Sequence, residues 1–422
     1  MNLEDVLSGL GGRILGINPP VYDFAWFDLW AKPAGLLGVL GGLRERGCET
    51  YLVDCLHEGR TERLTGGRWR VRRELASKPT PYAGIPRNYW RFGMSRDAFG
   101  ARLASLPRPD LVLVGSIMTY WYPGVFEAIE TVRRVLSGVP IGLGGIYATL
   151  CPRHAATAGA DFVAARCTFP RAKILPLDLY DEPTYAVVST SYGCPMRCSY
   201  CASSLLNPVY ERRPLDEILA DLAFQLSIPG VCDAAFYDDA LLASPEGAIL
   251  SLCARIRERW PGVRLHTPNG LHVSMLSRLV CRALHDTGFE TIRLSLEGVD
   301  AYTRGSSSGK TNVQDFVSAV EELHAAGYSH DRIETYILVG LPGQRADDVE
   351  RSISFARSLG VRVKLAEYAP IPGTPLFEDA LAATPELSTE PLLHNNTVYV
   401  QYVAGKVSTG ELQRLKDLTR LA

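Results

Sequence analysis

Short, fully apolar runs alternate with amphipathic stretches along the first part of the chain. Residues 13–18 (Arg-Ile-Leu-Gly-Ile-Asn) form one such run, helical spacing follows over 33–47, and a second run occupies 50–53. Further runs at 110–115, 140–143 and 161–164, with helical spacing near 123–136, continue the alternation. Strands that are apolar on both faces and separated by helices predict a parallel sheet covered on both sides. Residues 1–167 are therefore expected to form a Rossmann-like, doubly wound α/β domain. About 58 residues separate its second and third strands, roughly twice what a helix and two loops need. This places an insertion over about 60–94, after which Ser95 is positioned to cap a helix running to about Leu106.

A Pro-containing linker over 168–184 precedes a second alternation. Strand-like runs recur near 185–190, 232–237, 263–267, 291–296, 333–339 and 361–367, each pair separated by an amphipathic segment. Such a series predicts a partial (β/α)6 barrel of TIM type over 185–376, with reactive groups on loops at the carboxyl ends of its strands. The remaining segment, 377–422, is expected to end in a helix opened by Ser408 with Glu411 three residues on, a reciprocal cap.

Composition narrows the function more than the fold. The chain has 422 residues with 44 Lys+Arg against 46 Asp+Glu, so bulk charge names no partner. Hydrophobic residues at 46% with 21% charged exclude extensive disorder and collagen-like repeats. The N-terminal Met-Asn-Leu-Glu-Asp-Val-Leu lacks a basic stretch leading into an apolar one, and no apolar run reaches the roughly 18 residues of a membrane span. A cytoplasmic location is expected. One local imbalance stands out: from Arg60 to Arg108 there are twelve Lys/Arg and three acidic residues, interleaved with Trp69, Tyr82, Tyr89, Trp90 and Phe92. A basic, aromatic arm suits an anionic substrate or a phosphate backbone, and equally an arm that packs on its own domain.

The ten cysteines, without a secretory signal, read as reduced thiols or metal ligands. Cys48, Cys55, Cys151, Cys167, Cys232, Cys253 and Cys281 are scattered and read mostly as buried small apolar residues, any one of which could instead be catalytic. The other three form Cys194-Pro-Met-Arg-Cys198-Ser-Tyr-Cys201, a C-x3-C-x2-C loop just after the first strand of the second domain. Thiolates spaced closely in one loop are how iron–sulfur clusters are commonly held, and three ligands leave one iron open to a small molecule.

With that loop the sequence resembles the radical S-adenosylmethionine (SAM) superfamily. The resemblance covers most of 185–375. It implies a [4Fe-4S] cluster on Cys194, Cys198 and Cys201, with SAM on the open iron, and reductive cleavage of SAM to a 5′-deoxyadenosyl radical. It also implies that the backbone of Tyr200 contacts adenine, and that Asp238 and Asp239, in a Phe-Tyr-Asp-Asp departing from the usual Gly-Gly-Glu, hold the SAM amino group. Asn269, Ser295 and Glu297 would contact the ribose and methionine portions. Gly340-Leu-Pro-Gly343 and Glu367-Tyr-Ala-Pro-Ile-Pro-Gly-Thr374 resemble further family loops.

Residues 13–167 resemble the N-terminal cobalamin-binding domain carried by one class of that superfamily. The resemblance implies a corrin near Asn18, Pro19, Trp26, Gly35, Ser116, Gly144, Gly145 and Tyr147. Here the chain departs from the D-x-H-x-x-G pattern, because 18–32 contains no histidine. His57 lies after the second strand at the wrong spacing and reads as a loop histidine. Tyr22, Phe24, Trp26, Phe27 and Trp30 stand where the corrin would be faced, and equally read as core-packing aromatics. The implied enzyme is a cobalamin-dependent radical SAM methyltransferase acting on an unactivated carbon of a small, natural-product-like molecule, with flavodoxin or ferredoxin as electron donor, no membrane and no nucleic acid. The alternatives are a radical rearrangement, cyclisation or oxidation without cobalamin, and a cobalamin or redox sensor or RNA-binding protein without catalysis.

Overall fold

The computed structural model describes residues 12–26, 30–63, 69–165, 171–307, 312–405 and 407–420, so Phe27 and Cys167 lie outside the described residues. The chain folds into two compact units, Met1–Pro183 with Ser388–His394, and Thr184–Leu387 with Asn395–Ala422. Among the described residues no helix is long and apolar enough to cross a membrane.

The first unit is built on five parallel strands. β1 (Arg13–Asn18) lies between β3 (Glu49–Asp54) and β8 (Leu111–Val114), followed by β9 (Ile141–Leu143) and β10 (Phe162–Val163). α1 (Ala34–Arg44), α2 (Arg96–Ser105) and α3 (Tyr122–Val135) connect them, and Ser95 caps α2 by accepting from the Ala98 N–H at 3.2 Å. Ile14, Val112 and Ile141 are fully buried, as strands covered on both faces should be. The chain leaves β1 on one side to form β3 and returns on the other as β8. In such sheets the crevice for a ligand opens beyond the strand ends where the order reverses.

Asp54, at the carboxyl end of β3, gathers that region. Its carboxylate accepts from Asn18 Nδ2 at 2.9 Å, from the Leu56 and His57 N–H groups, and from the Tyr180 hydroxyl at 2.8 Å. The His57 ring packs 4.6 Å from that of Tyr180. Burial, with Arg60 and Lys32 nearby, lowers the His57 pKa from 6.5 to about 3. An imidazole harder to protonate when folded binds fewer protons in the native state. Its contribution to stability is therefore complete above about pH 6.5 and drains as pH falls towards 3. Urea midpoints measured at about pH 7 and about pH 4.5 should converge in His57→Phe relative to the wild type; an unchanged acid-side loss would refute this origin.

The insertion is an antiparallel annex. β2 (Val21–Asp23) pairs with β7 (Trp90–Phe92), which pairs with β6 (Arg73–Leu75), and β4 (Arg60–Arg63) pairs with β5 (Trp69–Val71). Much of its positive charge is turned inward or along its own surface. Arg91 is 1% exposed and grips Glu127 through Nε and Nη2 at 2.9 and 2.5 Å, while Arg96 and the Tyr22 hydroxyl reach the same carboxylate. Burial would raise the Glu127 pKa, yet the bonds from Arg91 and Tyr22 hold it below its ordinary value. Arg102 pairs with Glu58, Arg70 with Glu62, and Arg73 lies 4.4 Å over Trp90. Of the basic arm's two sequence readings, packing on its own domain accounts for these residues.

The second unit carries six strands in chain order, every neighbour parallel: β11 (Ala186–Val188), β14 (Asp233–Phe236), β15 (Arg264–His266), β16 (Phe289–Glu297), β17 (Ile333–Val339) and β18 (Arg362–Glu367). α4 (Leu215–Leu226), α5 (Glu246–Arg259), α6 (Arg278–Thr287), α7 (Val313–Ala326) and α8 (Ala346–Ser358) fill the crossovers. This is the open part-barrel expected from the apolar runs. Alternation sets its two faces: in β17, Ile333, Thr335, Ile337 and Val339 are buried, whereas Glu334 bonds Arg293 and Lys364, and Tyr336 donates to Pro268 O. At the first edge, Gln225 of α4 accepts from Val187 N and donates to Val187 O, both at 2.8 Å, satisfying an edge strand that would otherwise be open to pairing. α9 (Pro375–Ala383) follows β18, and α10 (Thr409–Arg420) begins with the reciprocal Ser408–Glu411 cap.

Candidate active site at the mouth of the part-barrel

All six strands end on one side, and the cysteine loop lies there. It is enclosed by a small antiparallel pair, β12 (Ser191–Tyr192) with β13 (Glu211–Arg212). Asp238, just past β14, fixes the start of this loop. It is fully buried, and its Oδ1 accepts from Thr190 N, Thr190 Oγ1, Ser191 N and Ser191 Oγ at 2.7–2.9 Å. Burial raises its pKa while these four donors oppose the rise. Asn269 in turn donates to Asp238 O at 2.9 Å.

The loop's middle is held by two helices, Ala301–Ser306 after β16 and α9 after β18. Ser199 donates through N and Oγ to Ser306 O at 2.9 and 3.0 Å, and Leu376 N donates to Ser199 O at 3.0 Å. Cys198 is 9% exposed and its thiol lies 3.4 Å from Ser307 O. Cys201 Sγ contacts Ser203 Oγ at 3.3 Å and accepts from Ser203 N at 3.5 Å. The Ser203 side chain also lies near Asp239, which is exposed. Tyr200 sits beside Glu297 and Cys198; burial first, then these neighbours, push its phenol well above the usual range. Glu297 ends β16 in the left-handed region at φ 63°, a conformation rare for a glutamate and 5% exposed here. Ser295 is buried against Gly270, where an added Cβ would come within 2.4 Å of its Oγ.

Thus the structure gathers Tyr200, Asp238, Asp239, Asn269, Ser295 and Glu297 at the strand ends around the cysteine loop, but employs them differently. Asp238 and Asn269 bond the protein, Asp239 lies near Ser203, and Glu297 stands beside Tyr200. Ser203, Ser306 and Ser307 escaped sequence reading because serines carry no spacing signal of their own. Among the described residues no group of three His, Cys, Asp or Glu is placed to hold a single metal ion. The three thiols, on one loop with N–H and hydroxyl donors beside the sulfur of Cys201, fit a cluster in which each iron takes one thiolate.

In the first unit the expected residues fall into separate places. Ser116 donates to Gly144 O at 2.6 Å and accepts through its backbone oxygen from Ile146 N. Gly145 between them has φ 97°, and a Cβ there would stand 2.2 Å from Ser116 O, so only glycine serves. Tyr147 is buried and its hydroxyl shares a hydrogen bond with His154 Nδ1 at 2.6 Å. Asn18 belongs to the Asp54 network, and Pro19 beside it is buried. A Cβ on Gly35 would meet nothing within 4 Å. Trp26 packs with Phe92, and Phe24 with Tyr82 and Tyr89, so these aromatics join the annex.

Residues 188–356 match the Radical SAM superfamily. An uncharacterized methyltransferase of Pyrococcus horikoshii is 26% identical over 222 residues, covering 50% of this chain and 46% of that protein. A tRNA-2-methylthio-N(6)-dimethylallyladenosine synthase of Ralstonia pickettii is 26% identical over 54% of this chain and 53% of its own. The chain spans about half the length of these curated relatives. Among solved structures, the radical S-adenosylmethionine methyltransferase TsrM from Kitasatospora setae superposes with a TM-score of 0.62 at 16% identity, over 88% of this chain and 77% of TsrM. That structure holds a tryptophan substrate and a SAM analog; a second TsrM structure, with TM-score 0.60 at 15% identity over 88% of this chain and 75% of TsrM, holds cobalamin and a [4Fe-4S] cluster.

Proposed function

We propose, from the premise that this chain belongs to the radical SAM superfamily, that it is a cobalamin-dependent methyltransferase acting on an unactivated carbon of a small molecule. The observation that carries this reading is the cysteine loop fixed by Asp238 just past β14, by Ser306–Ser307 at the end of the helix after β16, and by Leu376 in α9. When bound, the cluster supplies the electron that cleaves SAM and the corrin carries the transferable methyl group. Cys194, Cys198 and Cys201 would hold the cluster. Burial of Cys198 and the contacts of Cys201 with Ser203 fix the direction of two of the sulfurs. Asp239, Tyr200 and Glu297 are the groups at the mouth suited to orient SAM, with Asn269 holding the turn that carries Asp239.

Support for cobalamin comes from the first unit and from the fold likeness to TsrM over most of the chain. The carboxyl ends of β1 and β8 flank the reversal in strand order, the Gly144–Gly145 turn brings bare backbone there, and Gly35 leaves open space. Among the described residues of 18–32 there is no imidazole, which fits a corrin held without a histidine from that loop. Flavodoxin or ferredoxin would deliver the electron.

The test is anaerobic reconstitution with iron and sulfide, followed by reductant and SAM with and without methylcobalamin. Formation of 5′-deoxyadenosine together with a stoichiometric corrin spectrum supports the reading. SAM cleavage with no corrin retained, and no dependence on cobalamin, removes methyl transfer and leaves a radical rearrangement or oxidation.

A further inference from the structure

Tyr368 follows β18 directly, and its N–H continues the ladder by donating to Val339 O at 2.9 Å. Its side chain is 3% exposed, yet its hydroxyl is buried with no hydrogen-bond partner. A buried phenol left unpaired is costly, and in folded proteins such a group calls for an explanation.

Three observations place it at the reacting end of the part-barrel. First, alternation puts Tyr368 opposite Glu367, which pairs with Lys416 of α10, and on the same side as Lys364, which pairs with Glu334. This is the face turned away from the covering helices. Second, the segment that Tyr368 opens runs to Leu376, whose N–H holds Ser199 between two of the cysteines. Third, the ring is fixed: it meets Tyr399 edge-on at 5.6 Å, and Tyr399 begins a π-helical turn, Tyr399–Val403, a local geometry frequent at functional sites. Val400 of that turn fills the space over Gly340, where a Cβ would stand 2.5 Å from its side chain. The turn is therefore seated against the loop after β17, and Tyr368 has little freedom to seek another partner.

Resting on the reading above, the geometry points to Tyr368 as a positioning residue for the substrate, its hydroxyl donating to a carbonyl or carboxylate oxygen that lies beside the reacting carbon. Burial keeps the phenol protonated, pushing its pKa well above the ordinary value, so it acts as a donor throughout the physiological range. A substrate bearing such an acceptor satisfies the orphan hydroxyl, and a hydrocarbon analogue without it does not.

The test compares wild type with Tyr368→Phe, which keeps the ring and removes only the hydroxyl. Thermal unfolding of the unloaded protein comes first. The variant should be as stable as wild type or more so; a fall in Tm above roughly 3 °C would mean that the hydroxyl has an internal partner and would overturn the assignment. The reconstituted enzymes are then given SAM labelled with CD3 and a protein-free small-molecule extract of the organism's own cells. The ratio of CD3-labelled product to 5′-deoxyadenosine should drop about tenfold in the variant, as misplaced substrate uncouples transfer from SAM cleavage. An unchanged ratio overturns the proposal, including the case in which both quantities fall together because Tyr368 serves SAM. Should wild type form 5′-deoxyadenosine and label nothing, methyl transfer is the reading that falls, and thermal unfolding alone decides on Tyr368.

Discussion

Cys198→Ala is expected to abolish SAM cleavage, lowering 5′-deoxyadenosine formation by at least about three orders of magnitude. Cys198 is the most buried of the three thiols, and its neighbour Ser199 is bonded to both Ser306 and Leu376. Among the described residues of this unit no cysteine beyond these three lies in the loop: Cys253 is in α5, Cys281 in α6, and Cys232 precedes β14. The loop itself should survive the substitution, since its anchors are Asp238, Ser306 and Leu376 rather than the thiol. Iron and sulfide content after reconstitution, with circular dichroism of the unloaded variant, checks both halves. Residual cleavage above a hundredth of wild type would remove Cys198 from the cluster.

The second large effect concerns Asp238. Removing its carboxylate in Asp238→Ala strands four donors at the base of the cysteine loop, and the loss of a charged buried acceptor with several partners costs about 3–5 kcal/mol. Asp238→Asn keeps one acceptor oxygen and should lose roughly half of that. Denaturant unfolding of the unloaded protein measures the difference. A carboxylate serving only the SAM amino group would give a different result: stability intact in both variants and SAM affinity alone impaired.

Much of this fold was legible because its strands are fully apolar and regularly spaced. All six strand runs of the second unit and all five parallel strands of the first fall where periodicity puts them. The Ser95 and Ser408 caps were readable for the same local reason, a side-chain oxygen meeting an N–H three residues on. The annex was not legible as sheet. Its strands are three or four residues long, and Arg91 is an arginine in a strand, drawn inside by Glu127 thirty-six residues away. In the site, the cysteines announce themselves by spacing, whereas the division of labour between Asp238 and Asp239 depends on which neighbour turns inward. That is decided by the close approach of Thr190 and Ser191, which no pattern in the sequence records.

The excursion of Ser388–His394 into the first unit bears on how this protein can be made and dissected. Leu392 O accepts from the Tyr82 hydroxyl at 2.7 Å, Glu390 from Tyr122 at 3.2 Å, and His394 Nδ1 lies 3.0 Å from Thr119 Oγ1. Tyr82 is 1% exposed, so this contact is sealed from water. A fragment ending at Pro183 leaves these groups without their partners, so the first unit cannot be excised as one contiguous piece without losing these bonds. The first unit can close only once the chain has been made through His394, after all of the second unit except Asn395–Ala422.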